Sequence, residues 1–82
     1  SEQTIILAAR AIIDRVKHKG YKTILAGIGA AHMAAWTASK LLEKEGIRIR
    51  IIAELGFYGM RPFQGDVFLF SQLHAQQCSM LS

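Results

Sequence analysis

Two short stretches of this chain carry residue types that could do chemistry together. Gly27-Ile28-Gly29 follows the apolar run Thr23-Ile24-Leu25-Ala26, and Glu54-Leu55-Gly56 follows the apolar run Ile51-Ile52-Ala53. A glycine pair between a strand and a helix lets backbone N–H groups approach an anionic oxygen, with the positive end of the helix dipole behind them. A carboxylate placed directly after apolar residues begins to lose its hydration, which makes it a stronger base or nucleophile. If the two apolar runs are parallel strands joined by a helix, both stretches leave the sheet at its carboxyl end, where α/β folds build binding crevices. Glu54 then stands beside the turn made by Gly27 and Gly29, with Gly56 two residues further on.

Each stretch alone says little. The glycine pair continues into Ala30-Ala31-His32, so the third glycine of the dinucleotide fingerprint is missing, and no phosphate-loop lysine and hydroxyl follow. Glycines needed for a tight turn account for it equally well. A lone Glu at a strand end is most often simply solvated. The placement of both in one crevice is what points to chemistry.

The elements that must position them are legible from periodicity. Ile5, Ala9, Ile12, Ile13 and Val16 recur at helical spacing while Arg10, Asp14 and Lys17 fall off that stripe, which predicts an amphipathic helix ended by Gly20. Residues 23–26 read as a short buried strand. Residues 30–45 contain no Gly or Pro, and Ala31, Ala34, Ala35, Ala38, Leu41 and Leu42 share one helical face, small enough to lie close to a sheet. His32, Trp36, Lys40 and Glu43 fall on another face, and Gly46 suits the position just past the helix end. Residues 48–53, Arg-Ile-Arg-Ile-Ile-Ala, alternate and then become wholly apolar, as expected of a strand that enters from solvent and runs into a core. Gly56, Gly59, Pro62 and Gly65 make 55–65 a loop, whose bulky Phe57, Tyr58, Met60 and Phe63 either cover the sheet or line a pocket or subunit contact. Residues 66–70 are expected to form a third strand, and Ser71 to cap a helix through Leu81. Without repeats or linkers, residues 1–82 read as a single α/β unit.

Composition bounds the rest. A chain of 82 residues makes one small domain that buries about 60–65% of its unfolded surface, too little for a complete multi-substrate enzyme. Yet 51% of its residues are hydrophobic and 20% charged, a balance that suits part of something larger. One cysteine, Cys78, rules out an internal disulfide framework and a multi-thiolate zinc site, so a reducing, cytoplasmic setting is expected. The net charge of +4 is modest, and its clusters (Lys17, Lys19 and Lys22 around His18; Arg48 with Arg50) read as a cation-rich helix end and a solvated strand face. No RNA-binding signature accompanies them, so no nucleic-acid partner is expected. The uncharged stretch 23–39 approaches the length of a membrane span but contains Gly27, Gly29 and His32, and a strand followed by a helix explains it better. Neither a membrane partner nor a targeting segment is expected.

The order and spacing of Ile24-Leu25-Ala26-Gly27-Ile28-Gly29, a helix, then Ile51-Ile52-Ala53-Glu54-Leu55-Gly56 with Gly59 resembles the β-type half of family I coenzyme A transferases, the glutaconate and 3-oxoacid CoA-transferases among them. The resemblance covers roughly residues 8–81 and extends to Cys78-Ser79-Met80-Leu81. It implies a three-layer α/β/α fold with a mainly parallel sheet, of which this chain would be the N-terminal part of a β-type domain, since the family's half-unit is well over twice this length. It also implies a catalytic nucleophile at Glu54, a CoA-binding or wall role for Gly27, Gly29 and Gly56, and coenzyme A as substrate with no other cofactor. An acyl-CoA and a carboxylic acid would be the reactants, and an α-type subunit or half the partner in an oligomer. The chain departs from the family where Ala53 and Leu55 replace the Ser often found before the acid and the Asn or Ser after it, removing polar groups that could orient the carboxylate. An acyl-CoA hydrolase or ring-opening relative, a sugar-phosphate isomerase on the same fold, and a non-catalytic assembly or binding module remain open beside the transferase.

Other constellations are thinner. His74 and Cys78, four apart on an expected helix, supply two metal ligands where a site needs more, so no metal is expected. His32 reads as a capping or core residue, or else as a contact to a ligand's phosphate or carboxylate. Trp36, four residues on, reads as packing. Arg61 has solvent as its default partner and a carboxylate or CoA phosphate as the sharper one.

Overall fold

The computed structural model describes residues 2–54 and 67–70. Helix α1 (Glu2–Lys19) leads into strand β1 (Thr23–Gly27), helix α2 (Ala30–Lys44) and strand β2 (Arg50–Glu54), and strand β3 (Val67–Phe70) completes the described elements. All pairing is parallel, with β1 in the centre and the order β2-β1-β3. The expected α/β class with a parallel sheet is therefore present.

The core is built from small residues. Ala8, Ala9, Ile12 and Val16 of α1 meet Ala31, Ala34, Ala35, Ala38 and Leu42 of α2 in one buried cluster. Alanines at these positions let the two helix backbones approach closely, because interaxial distance follows side-chain size at the contact. From β1, Ile24 and Ala26 join the same cluster; they are two residues apart and so share a face. Leu25, on the opposite face, is also buried, so β1 is covered on both sides.

Helix ends follow from local chemistry. The Gly20 N–H donates to the Val16 carbonyl at 2.8 Å and ends α1. At the end of α2 the Gly46 N–H donates to Glu43 O and the Ile47 N–H to Leu42 O, both at 3.0 Å. This double bond pattern with Gly46 at φ 81° is a Schellman motif, and Ile47 packs against the core that contains Leu42. An ion pair of 2.6 Å between Lys17 Nζ and Glu45 Oε1 ties the two helix ends together. Both side chains are about half exposed, which limits such a pair to about 1 kcal/mol or less.

Two expectations change. Strand β2 begins at Arg50 rather than at residue 48, because pairing starts where β1 supplies a partner: Thr23 lies opposite Arg50, and the Arg50 N–H donates to Lys22 O at 2.9 Å. Leu41, placed on the apolar face with Leu42, is 43% exposed while Leu42 is 0% exposed; the covering elements lie on the Leu42 side of the helix. The third strand is described over Val67–Phe70, and Asp66, its expected first residue, lies outside the described residues. The expected loop 55–65 and the helix from Ser71, with Gly56, Arg61, His74 and Cys78, lie outside the described residues.

Gly46→Ala should lower stability by about 1 kcal/mol, with Gly46→Asn costing less. A Cβ there meets nothing within 4 Å, so the cost is the left-handed backbone alone. Ile12→Ala, which empties a fully buried position, should cost about 2–5 kcal/mol. Denaturant melts of the full-length protein would read both.

Candidate functional site

The site is the carboxyl edge of the parallel sheet. Gly27 is the last residue of β1 and Glu54 the last of β2, and the two are register partners. Because adjacent parallel strands run in the same direction, the turn after Gly27 departs from the edge at which Glu54 ends β2. β2 and β3 flank β1 on opposite sides, so the strand order reverses between β1 and β3, beside the turn that follows Gly27. In open α/β sheets, ligand crevices form outside the carboxyl ends of the strands at such a reversal.

The two glycines play different parts. Gly29, the residue before α2, has φ 80° and ψ −137°, a conformation that a side chain opposes. Gly27 is absent from the positive-φ glycines among the described residues; it is buried, extended strand. At Gly29 the missing side chain matters for the turn itself. Ile28 between them is 63% exposed.

Helix α2 starts directly after this turn. Gly29 supplies no side-chain cap, and no acidic residue stands in the first turn. The Met33 N–H donates to the Gly29 carbonyl at 3.0 Å, closing the first helical turn. His32, the third residue of α2, accepts a hydrogen bond at Nε2 from the Trp36 Nε1–H at 2.8 Å, with the two rings edge to face. His32 Nδ1 is buried and has no hydrogen-bond partner. Trp36 is about half exposed, and Lys40 Nζ lies 5.9 Å from the centre of its ring, within cation–π range.

Sequence spacing therefore anticipated the meeting of Gly27, Gly29 and Glu54 at one edge, and missed the His32–Trp36 bond. The signal for that bond was present: residues four apart on a helix are neighbours, and one is an N–H donor and the other an imidazole. The capping role considered for His32 is not what the structure places there, and Trp36 lies on the face expected for it, packed edge to face against the His32 ring. Among the described residues, no cluster of three or more His, Cys, Asp and Glu is placed to hold a metal, and no helix is long and apolar enough to cross a membrane. The cations Lys19, Lys22, Arg48 and Arg50 are exposed.

No protein-family model, curated protein or solved structure matches this chain.

The contrast between the glycines can be tested directly. Gly29→Ala should destabilise the protein by about 1–3 kcal/mol through backbone strain. Gly27→Ala meets no such backbone penalty and should act chiefly on what binds at the edge. Equilibrium unfolding of both variants, beside wild type, separates the two effects.

Proposed function

We propose that this chain is part of a CoA-transferase that moves CoA between an acyl-CoA and a carboxylic acid, with Glu54 as the nucleophile. The observation that carries the reading is the register pairing of Gly27 with Glu54 at the carboxyl end of the parallel sheet. The resemblance of both strand-and-glycine stretches to the β-type half of family I CoA-transferases supplies the reaction class. On this reading the chain is the N-terminal part of a three-layer α/β/α domain. Burial of Leu25 on the face of β1 away from the helix pair supports a covering layer on that side. An α-type subunit or half completes the site in a cytoplasmic oligomer.

The chemistry follows from the carboxylate. A Glu54 oxygen attacks the thioester carbonyl carbon, and the tetrahedral intermediate expels CoA thiolate to leave an acyl-glutamyl anhydride. The thiolate attacks the glutamyl carbonyl, releases the first acid as its carboxylate, and leaves a glutamyl-CoA thioester. An incoming carboxylate attacks this thioester, forming a new anhydride and freeing the thiolate. Attack of the thiolate on the new acyl carbonyl gives the product acyl-CoA and regenerates the Glu54 carboxylate. The covalent route divides one difficult exchange into easier steps, and keeping water out conserves the activation that hydrolysis would waste. Gly27 and Gly29 form wall and turn beside the thioester.

Ala53 and Leu55 beside the acid favour a second reading, an acyl-CoA hydrolase or ring-opening enzyme. With no hydroxyl or amide flanking it in sequence, the carboxylate would activate water as a base rather than being aimed at the thioester.

The deciding experiment is peptide mass spectrometry on the native, full-length complex after incubation with acyl-CoA thioesters and rapid quenching. A CoA-sized adduct on the Glu54 peptide is expected, and Glu54→Gln should abolish it and lower turnover by roughly 10³-fold or more. Thioester consumption without an adduct would replace transfer with hydrolysis. Absence of consumption, or full activity in Glu54→Gln, would remove the transferase reading.

A further inference from the structure

His32 is a titratable side chain that the transfer chemistry above leaves unused, and its two ring nitrogens sit in unlike surroundings. Nε2 accepts the Trp36 Nε1–H at 2.8 Å. An indole N–H can only donate, so Nε2 presents its lone pair, and the neutral ring carries its proton on Nδ1. That Nδ1 is buried and has no hydrogen-bond partner. A buried donor without an acceptor costs about as much as a lost hydrogen bond, and in native proteins such groups almost always have a partner or a function. His32 lies in the first turn of α2, three residues after Gly29, at the same edge as Gly27 and Glu54.

We infer that Trp36 locks His32 as the Nδ1–H tautomer, and that His32 donates this hydrogen bond to an anionic oxygen of the ligand bound at the carboxyl edge of the sheet. The inference deepens the transfer reading and rests on it for the kind of ligand. The oxygen belongs either to the carboxylate of the acid or to a phosphate group of coenzyme A. A neutral donor suits either, because it attracts the oxygen without placing a second full charge beside the Glu54 carboxylate. His32 is the binding residue for the ligand, and Trp36 is a positioning residue that acts only through His32. Trp36 is held in turn by its cation–π contact with Lys40 on the outer face of the helix.

The test uses the full-length protein in its native complex, labelled with ¹⁵N-histidine, with the His32 signal identified by its disappearance in His32→Asn. The Nδ1–H form is expected in the free protein, and Trp36→Phe, which keeps the ring and removes the donor, should release the Nε2–H form. Sodium acetate and inorganic phosphate are then titrated separately. A saturable displacement of the Nδ1–H resonance by acetate assigns the contact to the carboxylate, and by phosphate to the phosphate group. Calorimetry of the effective probe with side-chain variants supplies the second readout. His32→Asn, whose amide N–H₂ lies near the position of Nδ1, should retain binding within a few fold. His32→Gln and His32→Ala should weaken it about tenfold, the loss of roughly one hydrogen bond. An Nε2–H tautomer in the wild type, a resonance unmoved by both probes, or equal binding by all three variants would each overturn the inference. None of these readouts requires turnover, so a displaced His32 resonance without a CoA adduct on Glu54 would sink the transfer reading and leave the His32 contact standing.

Discussion

The structure depends on the parallel pairing of β1 along both of its edges. Residues Thr23 to Ala26 have register partners in β2 and in β3, so a five-residue strand is held by two ladders at once. Parallel strands carry slightly less stability per residue than antiparallel ones and need both faces covered. β1 meets that requirement with Ile24 and Ala26 on the face packed into the helix cluster and buried Leu25 on the other. Moving any strand along its neighbour by one residue would turn its apolar set to the wrong face, so burial specifies the register. The same register sets Gly27 opposite Glu54, and the site inherits its geometry from the core.

The helix pair supports the strand by proximity rather than by bulk. Most of the buried positions of α1 and α2 are alanine, with Ile12, Val16 and Leu42 as the larger members. Each alanine brings little apolar area out of water, about 25 cal/mol per Å² of it, but it loses no side-chain entropy and permits close backbone approach. Larger side chains at Ala34, Ala35 or Ala38 would push α2 away from β1 and carry the Gly29 turn with it. The Schellman motif at Gly46 has the corresponding role at the other end, reversing the chain so that Ile47 returns to the core and Arg50 meets Lys22. One end of α2 thus sets the candidate site and the other returns the chain to the sheet.

At the first turn of α2 the fold leaves a polar asymmetry. The outer face carries Met33, Trp36 and Lys40 to solvent, while His32 sits half-buried at its border. The Trp36 N–H satisfies one imidazole nitrogen and leaves the other without a partner in a place hidden from solvent. Among the described residues, His32 Nδ1 is the buried side-chain nitrogen left with hydrogen-bonding capacity. It lies at the same edge as the acid and the glycine turn.

Periodicity made the two helices and three strands of the described residues legible in the sequence. A 3.6-residue recurrence of Ile5, Ala9, Ile12 and Val16, a Gly-free alanine face, and short apolar runs bounded by glycine are all local signals. The joint placement of Gly27, Gly29 and Glu54 followed from one inference, that parallel strands end at the same edge. The beginning of β2 was not legible, because Arg48 and Ile49 continue the strand pattern and only the reach of β1 decides where pairing starts. Nor was the exposure of Leu41, since a helical face has no defined margin until a neighbour covers part of it. By itself the sequence determined which segments become helix or strand and which residue types stand at their ends, because those depend on side chains close in the chain. Only the tertiary structure decided the order β2-β1-β3, the pairing of Gly27 with Glu54, and the burial of His32 Nδ1. These depend on contacts between segments far apart in the chain or on the exclusion of water by the whole fold, and no local pattern encodes them.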